Sequence, residues 1–268
     1  MNVEELKKNA AKIRKLTLFA LYSAQSGHPG PSLSIVEILT ALLFFEMKLQ
    51  GNKRDRIILS KGHAAASFYA ALSVGGYIKQ EELSHLREIG SSLQGHPVRN
   101  TLPLIDASTG SLGQGLSVGI GYALGIRIKS EDRRVYVIIG DGECQEGQIW
   151  EAAMSAAKFC LGNLIVVLDY NRFQNSGAVN DIMPIEPLRE KWASFGWDAQ
   201  EVDGHDLKAI ISCFKNAHGK CTPQIIIAHT KKGKGVSFME ENMAWHSRVI
   251  KPSEYEAIIK ELEENANG

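Results

Sequence analysis

The fold of this chain is constrained most by three short apolar runs, rich in β-branched residues, at 135–139, 164–168 and 224–228. Each run has the length and the continuous apolarity of a strand that is buried on both faces. Helix-like stretches precede and separate the runs, at 3–24, 33–48, 63–75, 116–129, 149–159, 188–195 and 207–218. This alternation predicts βα units, and therefore an α/β fold in which helices cover both faces of a parallel sheet in three layers.

No linker, composition shift or low-complexity tract interrupts the 268 residues, so we expect a single domain, 1–268, with an N-terminal helical arm. A polar surface helix is predicted at 253–264, with Ser253 as its N-cap and Glu256 in the capping-box position. The chain has 30 Lys and Arg against 30 Asp and Glu. Zero net charge gives none of the basic character expected of a nucleic-acid binder or a membrane-surface protein.

The sequence also favours a cytoplasmic location. The four cysteines form no CxxC pair and no zinc pattern with histidine, which indicates reduced thiols. The first 14 residues are rich in charge and lack the apolar core of a secretory signal. The most apolar long segment, 33–49, contains Glu37, Thr40 and Glu46 and is shorter than the ~20 apolar residues that span a bilayer.

Polar residues directly follow the predicted strands, at the edge of the sheet where α/β proteins bind their ligands. Asp141 lies in a Gly-Asp-Gly turn after the first strand, and Asn171 follows the second. Carboxylate and amide oxygens are hard ligands, and Mg²⁺ held by one or two carboxylates is usually completed by phosphate oxygens. Either turn alone is typical of ordinary loops. Their position after two consecutive strands predicts a site for Mg²⁺ with a diphosphate or nucleotide.

Four of the eight histidines lie in loops rich in glycine and proline: His28, His63, His96 and His246. A single histidine is more often structural, but rigidly placed loops are where function concentrates. Their spacing fits no helical or H-x-H metal pattern, so acid–base work or substrate hydrogen bonding is the better interpretation. We interpret three others as surface residues without a role: His85, His205 and His218.

Two glycine-containing segments remain open to more than one interpretation. The series from Gly110 to Gly125 has Val118 where a dinucleotide fingerprint needs its third glycine, and no clear strand precedes it. Such a loop can bind phosphate through backbone N–H groups at a helix N-terminus, or serve packing alone. The basic segment 231–235, KKGKG, can neutralise phosphate or form a solvated loop.

With these pieces in order, the chain resembles the N-terminal, diphosphate-binding part of transketolase and its thiamine-diphosphate-dependent relatives. The Gly-Asp-Gly to Asn pairing is shared by thiamine-diphosphate enzymes generally, whereas SGHPG, SKGH and STGSLGQG together are specific to the transketolase group. The similar segments, in chain order, are SGHPGPSLS from Ser26, DRIILSKGHAA from Asp55, GHP from Gly95, STGSLGQGLSVGIGYALG from Ser108, GDGECQEGQIWEA from Gly140, DYN from Asp169, VDGHD from Val202 and KGKGVSFMEENMAWH from Lys232.

The resemblance implies a thiamine-diphosphate-binding fold of the diphosphate-domain type. It implies thiamine diphosphate and Mg²⁺ as cofactors, with Ca²⁺ or Mn²⁺ as possible substitutes. The implied metal ligands are Asp141, Asn171 and the backbone carbonyl of Phe173. The implied cofactor contacts are His63, Gly110, Ser111, Leu112, Gly142, Glu143, Asn171, Lys232 and His246. The implied catalytic residues are His28, His63, His96, His246 and Glu146, the last communicating with a partner active site.

The activity that the resemblance implies is transfer of a two-carbon ketol unit from a ketose phosphate to an aldose phosphate. The carboxylate that activates the cofactor comes, in transketolases, from a pyrimidine-binding domain, and nothing resembling that domain follows His246. We therefore expect the N-terminal subunit of a split transketolase, in an α2β2 assembly with a separate C-terminal subunit.

Three alternatives stay open at this point. The first is a split enzyme for another sugar, such as a sulfosugar or a branched-chain sugar phosphate. The second is a non-catalytic half-domain that binds thiamine diphosphate. The third is a nucleotide-dependent oxidoreductase built on Gly113 to Gly125, which lacks both the strand and the third glycine of the fingerprint.

Overall fold

A five-stranded parallel sheet forms the centre of the computed structural model, which describes residues 2–51 and 53–267. Its strand order is β1-β2-β3-β7-β6, and a separate short hairpin comprises β4 and β5. The strands are β1 Arg56–Leu59, β2 Val135–Gly140, β3 Leu164–Tyr170, β4 Phe173–Gln174, β5 Gly177–Ala178, β6 Asp198–Asp203 and β7 Gln224–His229.

The helices form a layer on each face of this sheet. Those that pack on one face include α1, α3, α4 and α9, and those on the other include α5, α6 and α8. The α-helices are α1 Val3–Ala24, α2 Pro29–Leu33, α3 Val36–Ala41, α4 Ala65–Val74, α5 Gln114–Ile128, α6 Gly147–Lys158, α7 Val179–Ile182, α8 Leu188–Ser194, α9 Leu207–Ala217 and α10 Pro252–Asn267. The predicted three-layer α/β fold is confirmed.

The pleat of the strands explains the unbroken apolar runs of the sequence. Along β2, Tyr136 and Ile138 join the core under α1 and α4, whereas Val135, Val137 and Ile139 join the core under α5 and α6. Successive side chains point to opposite faces of a strand, and here both faces are covered. Every residue of β2 and β3 is buried. No position of these strands therefore faces water, and the runs contain no polar alternation.

Two strands of the sheet were missed because they lack this signal. The edge strand β6 has the sequence DAQEVD and is largely exposed or half-buried, because only β7 pairs with it. The other edge strand, β1, is only four residues long. Edge strands are short and polar in many proteins, which leaves little periodicity to read.

Two predicted helices have different bounds in the structure. The stretch 33–48 is divided among the end of α2, the helix α3 and a π-helix at Leu42–Glu46. The prediction that Ser253 caps the last helix is wrong. That helix begins at Pro252, and Glu254 rather than Glu256 accepts a hydrogen bond from a flanking N–H, that of Lys251, at 2.8 Å. Proline at the first helical position needs no N–H partner, which favours the earlier start.

One stretch of this region, Pro29–Glu46, is long and apolar enough to cross a membrane by length and composition, but 83% of it is buried inside the protein. A segment buried to this extent belongs to the core of the protein.

The fold places the carboxyl ends of β1, β2, β3 and β7 side by side, since Gly140 pairs with Asp169 and Tyr170 pairs with His229. The residues that follow these four strands therefore meet at one edge of the sheet.

Candidate functional site

A pocket of about 420 Å³ opens at this edge. Eleven of the predicted site residues line it: His28, His63, Gly110, Leu112, Asp141, Gly142, Glu143, Glu146, Asn171, Phe173 and His246. Three others lie just outside the lining. Lys232 is buried behind His246, His96 lies beside His28, and Ser111 is exposed between two lining residues. The structure thus brings together segments that are more than 200 residues apart.

Asp141, directly after β2, is buried without a cationic partner. Its carboxylate accepts hydrogen bonds from the backbone N–H of Gly142 at 2.8 Å and of Arg172 at 2.5 Å. Burial, together with the nearby Asp169 carboxylate, raises the pKa of Asp141 to about 7. No basic side chain in the described part of the chain forms an ion pair with it. A buried carboxylate in this state is a good ligand for a cation, which would restore the charged form.

Asp169, near the end of β3, is in the opposite situation. Four side chains donate hydrogen bonds to it: Lys61, Thr230, Ser34 at 2.7 Å and Asn171 at 2.9 Å. Although burial raises the pKa of Asp169, the paired Lys61 ammonium brings it below the usual value. Because the amide of Asn171 donates to Asp169, its oxygen is left to accept from Phe173 N–H at 3.1 Å.

The role of Asp169 was not predicted from the sequence. The available signal was a charged residue inside an otherwise apolar strand that is buried on both faces. Such a residue requires partners from neighbouring elements, and those partners lie immediately after α2, β1, β3 and β7.

The buried side chain of Glu143 lines the pocket and connects three of the segments around it. One carboxylate oxygen accepts from Ser60 at 2.6 Å and from the N–H of Gly113 at 2.9 Å, and the other accepts from Gly140 N–H at 2.9 Å. Burial raises its pKa. Both oxygens are therefore used by protein donors that lie after β1, at the start of α5 and at the end of β2. Glu146 is exposed at the rim of the same pocket.

The four histidines from the loops rich in glycine and proline form one cluster. The ring of His28 lies 5.4 Å from that of His63, 5.6 Å from that of His246 and 6.4 Å from that of His96, measured between centroids. The rings of His63 and His246 are stacked at 5.6 Å. The Nδ1 atom of His28 is buried and has no hydrogen-bond partner in the described part of the chain. An orphaned buried nitrogen of this kind suits a ligand that supplies a partner.

Burial lowers the pKa of every histidine in the cluster. It brings His28 to about 4, with help from Arg87, and His246 to about 3, with help from the Lys232 ammonium. Burial and the Lys61 charge lower the pKa of His63 well below its usual value, and burial with Arg87 lowers that of His96. The four rings are thus neutral near pH 7, each with one hydrogen-bond donor and one acceptor.

Lys232 links the cluster to the predicted metal ligands. Its ammonium lies 2.7 Å from His246 Nδ1, 3.5 Å from the carbonyl oxygen of Phe173 and 3.4 Å from that of Gln174. Burial and the neighbouring Lys61 lower its pKa to about 8. The segment 231–235 is therefore not a simple solvated loop, because its central lysine is fully buried.

The glycine series divides into two groups in the structure. Gly110 has a φ of +134°, and a Cβ there would lie 3.0 Å from the His96 ring. At Gly119 a Cβ would come within 2.6 Å of Val137, so this glycine lets α5 approach β2 closely. Of the later glycines, Gly119 thus serves helix packing, whereas Gly121 and Gly125 face open space.

Comparison with known proteins gives consistent matches over nearly the whole chain. Residues 6–266 match the family described as transketolase, thiamine diphosphate binding domain. The apulose-4-phosphate transketolase of Phocaeicola vulgatus has one subunit that is 40% identical over 98% of this chain and 96% of its own length. The 6-deoxy-6-sulfo-D-fructose transketolase subunit SqwG of Clostridium sp. is 44% identical over 97% and 96%.

Longer proteins match over part of their length. Human transketolase is 37% identical over 97% of this chain, which spans 42% of that protein. The crystal structure of transketolase from Campylobacter jejuni superposes with a TM-score of 0.91 at 30% identity, over 100% of this chain and 43% of the other. The pocket described above thus lies in a fold shared with these enzymes.

Proposed function

The chain belongs to the transketolase family, and we propose that it is the cofactor-binding subunit of an enzyme that transfers a two-carbon ketol unit from a ketose to an aldose. The observation that supports this most strongly is the neutral histidine cluster at the same pocket as Asp141 and Asn171. Together they provide hydrogen-bonding groups for sugar oxygens and ligands for a diphosphate-bound cation.

The residues present fit thiamine diphosphate with a divalent cation. Among the residues that the structure describes, Asp141 is a buried carboxylate without an ion-pair partner, and Nδ1 of His28 has no hydrogen-bond partner. Asp141, Asn171 and the carbonyl of Phe173 would hold Mg²⁺, or Ca²⁺ or Mn²⁺ in its place. The backbone N–H of Gly142 would bind the diphosphate. Residues Gly110 to Leu112 would lie beside the rings of the thiamine part of the cofactor. When bound, this cofactor supplies the electron sink that cleavage of a carbon–carbon bond next to a carbonyl requires.

The chain's own residues orient the substrate and manage its protons. The Lys232 ammonium donates to Nδ1 of His246, so the proton of the neutral ring is on Nε2 and can be given to a substrate oxygen. His28, His63 and His96 are likewise neutral and can hydrogen-bond hydroxyl and carbonyl oxygens as charge develops on them. Burial around the cluster strengthens each of these interactions.

The proposed assembly pairs this chain with a separate subunit that carries the pyrimidine-binding domain, in an α2β2 complex. Support comes from the relatives named as subunits, which this chain matches over nearly their full length, whereas it spans 42% of human transketolase. Glu146, which is exposed and lines the pocket, would contact the neighbouring subunit in this assembly. We also propose a cytoplasmic location, because all four cysteines in the described part of the chain are free thiols.

For the donor, we propose a ketose with an anionic group at its far end. The relatives named for apulose 4-phosphate and for 6-deoxy-6-sulfo-D-fructose are 40% and 44% identical to this chain, against 37% for human transketolase. Both named sugars carry a phosphate or a sulfonate. An unusual sugar of this kind is therefore favoured over the common pentose phosphates.

The proposal is tested with the purified chain and its co-expressed partner subunit, in the presence of thiamine diphosphate and Mg²⁺. Donors are xylulose 5-phosphate, fructose 6-phosphate, apulose 4-phosphate and 6-deoxy-6-sulfofructose, with an aldose phosphate as acceptor. We expect transfer by the pair and none by this chain alone. Robust turnover without a partner would refute the split assembly. Mg²⁺-dependent cofactor binding by the pair, measured by calorimetry, without transfer from any of these donors would favour the non-catalytic alternative, and binding of NAD(H) would favour the oxidoreductase.

His246→Ala tests the proposed role of the cluster. Loss of a positioned proton donor typically costs ~10²-fold or more in rate, so we expect transfer to fall by about that factor while the melting temperature changes little. His229→Ala is the matched control, because His229 pairs with Glu201 at the surface and does not line the pocket. A loss of stability without a change in specific activity would assign His246 a purely structural role.

A further inference from the structure

The loop 231–235 delivers Lys232 to the site, and it is held at two points by side chains that do not line the pocket. The N–H of Lys231 donates to Nε2 of His205 at 2.8 Å. Two residues beyond Lys232, the carbonyl of Lys234 accepts from Nε of Arg14 at 2.9 Å. Hydrogen bonds therefore hold the loop on both sides of Lys232, the residue that contacts His246 and the Phe173 carbonyl.

The two side chains that hold the loop, those of Arg14 and His205, both contact one buried carboxylate. Glu37, on α3, accepts from Nη2 of Arg14 at 2.5 Å with one oxygen and lies 2.9 Å from His205 Nδ1 with the other. Burial alone would raise the pKa of Glu37, but Arg14 and His205 hold it at about 2, so the carboxylate stays charged. Arg14 belongs to α1 and His205 to the turn between β6 and α9. Three separate elements therefore meet at this loop.

The hydrogen bonds determine the tautomer of His205. Its Nε2 accepts from a backbone N–H and must carry a lone pair, so the ring proton is on Nδ1, where it is donated to Glu37. The turn itself is fixed, because Asp203 accepts from the N–H of His205 at 2.9 Å and Asp206 caps α9. A histidine held on both nitrogens and through its backbone is well suited to positioning another segment.

The same loop also supports the segment that carries His28. The N–H of Gly233 donates to the carbonyl of Gly30 at 3.1 Å. A Cβ at Gly30 would lie 2.9 Å from Cγ of Lys232 and 2.8 Å from the carbonyl oxygen of Trp245. The backbone at Gly30, two residues after His28, therefore packs between the Lys232 stem and the carbonyl of Trp245, which precedes His246, and a shift of the loop would move several members of the cluster.

We propose that Arg14, Glu37 and His205 form a positioning relay that fixes Lys232, and through it His246 and the His28 segment, for the proposed transfer reaction. This inference rests on the proposed function for its consequence, but the loop geometry it requires exists independently of any activity. It assigns a role to His205, which the sequence alone presents as a surface residue.

A first test uses the unaltered protein. We expect ¹⁵N NMR of the histidine side chains to show His205 as the Nδ1–H tautomer, with a proton that exchanges slowly. An Nε2–H tautomer would overturn the relay, because it removes the acceptor for Lys231. This measurement needs no variant and no activity.

A second test compares three variants. His205→Leu removes both hydrogen bonds at similar volume, whereas His205→Gln keeps one donor and one acceptor at similar separation. His218→Leu is the matched control, since His218 also pairs with a buried glutamate, Glu46, at 2.5 Å but lies on the C-terminal side of α9, away from this loop. Hydrogen exchange of the 231–235 amides is measured by mass spectrometry, and kcat and KM are measured for the reconstituted pair.

We expect His205→Leu to speed exchange in 231–235 by ~10-fold and to lower kcat/KM by ~10-fold, within the range seen when supporting hydrogen bonds are lost. His205→Gln should restore most of both, and His218→Leu should change neither. Unchanged loop exchange in His205→Leu, or equal effects in His218→Leu, would overturn the proposal. If His205→Leu fails to fold, the tautomer of His205 in the unaltered protein and the kinetics of His205→Gln decide whether the proposal holds. If the unaltered pair transfers no ketol unit, the proposed function is wrong. Hydrogen exchange of the 231–235 amides then still tests whether Arg14, Glu37 and His205 position the loop.

Discussion

The ends of β2 and β3 present two buried aspartates in contrasting surroundings. Asp169 is surrounded by donors, with Lys61 as a buried ion-pair partner, and its pKa is lowered. Asp141, one strand away, accepts hydrogen bonds from two backbone N–H groups of the described chain and from no side chain there, and burial raises its pKa to about 7. A carboxylate that the protein satisfies internally holds the structure together. One that the protein leaves unsatisfied is available to a ligand.

The largest effect is expected from Asp169→Asn. Removing one partner of a buried ion pair leaves Lys61 charged and uncompensated, which costs ~3–5 kcal/mol of unfolding free energy. Urea denaturation of the cofactor-free protein measures this cost. The matched control is Asp141→Asn, the same substitution one strand away, which should not lower stability because no cation is left behind. Equal destabilisation by the two variants would contradict the distinction.

Asp141→Asn should have its effect on ligand binding. Loss of the charged ligand is expected to weaken Mg²⁺-dependent binding of thiamine diphosphate to the assembled enzyme by at least ~100-fold, as for the loss of other metal-site groups. Titration calorimetry with and without Mg²⁺ measures this. Unchanged affinity in Asp141→Asn would refute the assignment of Asp141 as a metal ligand.

The two aspartates should also give opposite pH dependences. Asp141 has a raised pKa, so its contribution to stability is complete below its usual value of 3.8 and is lost as the pH rises towards 7. Asp169 has a lowered pKa, so its contribution is present above 3.8 and is lost at lower pH. In the cofactor-free protein, the stability of Asp141→Asn relative to the parent should therefore rise between pH 4 and 7, by up to ~1.4 kcal/mol per pH unit. A difference that stays constant with pH would show that the pKa of Asp141 is not raised.

The smallest effect is expected from Thr230→Val. This change removes one of the four donors to Asp169 and nearly preserves shape, so we expect a loss of about 1 kcal/mol in unfolding free energy. Thr101→Val serves as a control, because the hydroxyl of Thr101 bonds only a local carbonyl at an exposed turn. A loss as large as that of Asp169→Asn would mean that the hydroxyl, rather than the Lys61 pair, satisfies the carboxylate.

Much of the fold could be predicted from the sequence, because burial on both faces leaves an unbroken apolar run. The three central strands and α1 were located within a few residues for this reason. The edge strands β1 and β6 were missed, since partial exposure and short length remove the periodic signal. The split of 33–48 into several helices was also missed, because no glycine or proline marks a break within that stretch.

The site residues were identifiable one by one, through turns rich in glycine and through the position of Asp141 and Asn171 after strands. The sequence by itself thus determined which chemical groups are present and at which edge of the sheet they lie. Only the tertiary structure decided which of them are satisfied by the protein. Lys61 and Asp169 are 108 residues apart, and Glu37 and His205 are 168 apart. Because a buried charge takes its pKa and its role from neighbours that are remote in the chain, the distinction between Asp141 and Asp169 exists only in the folded protein.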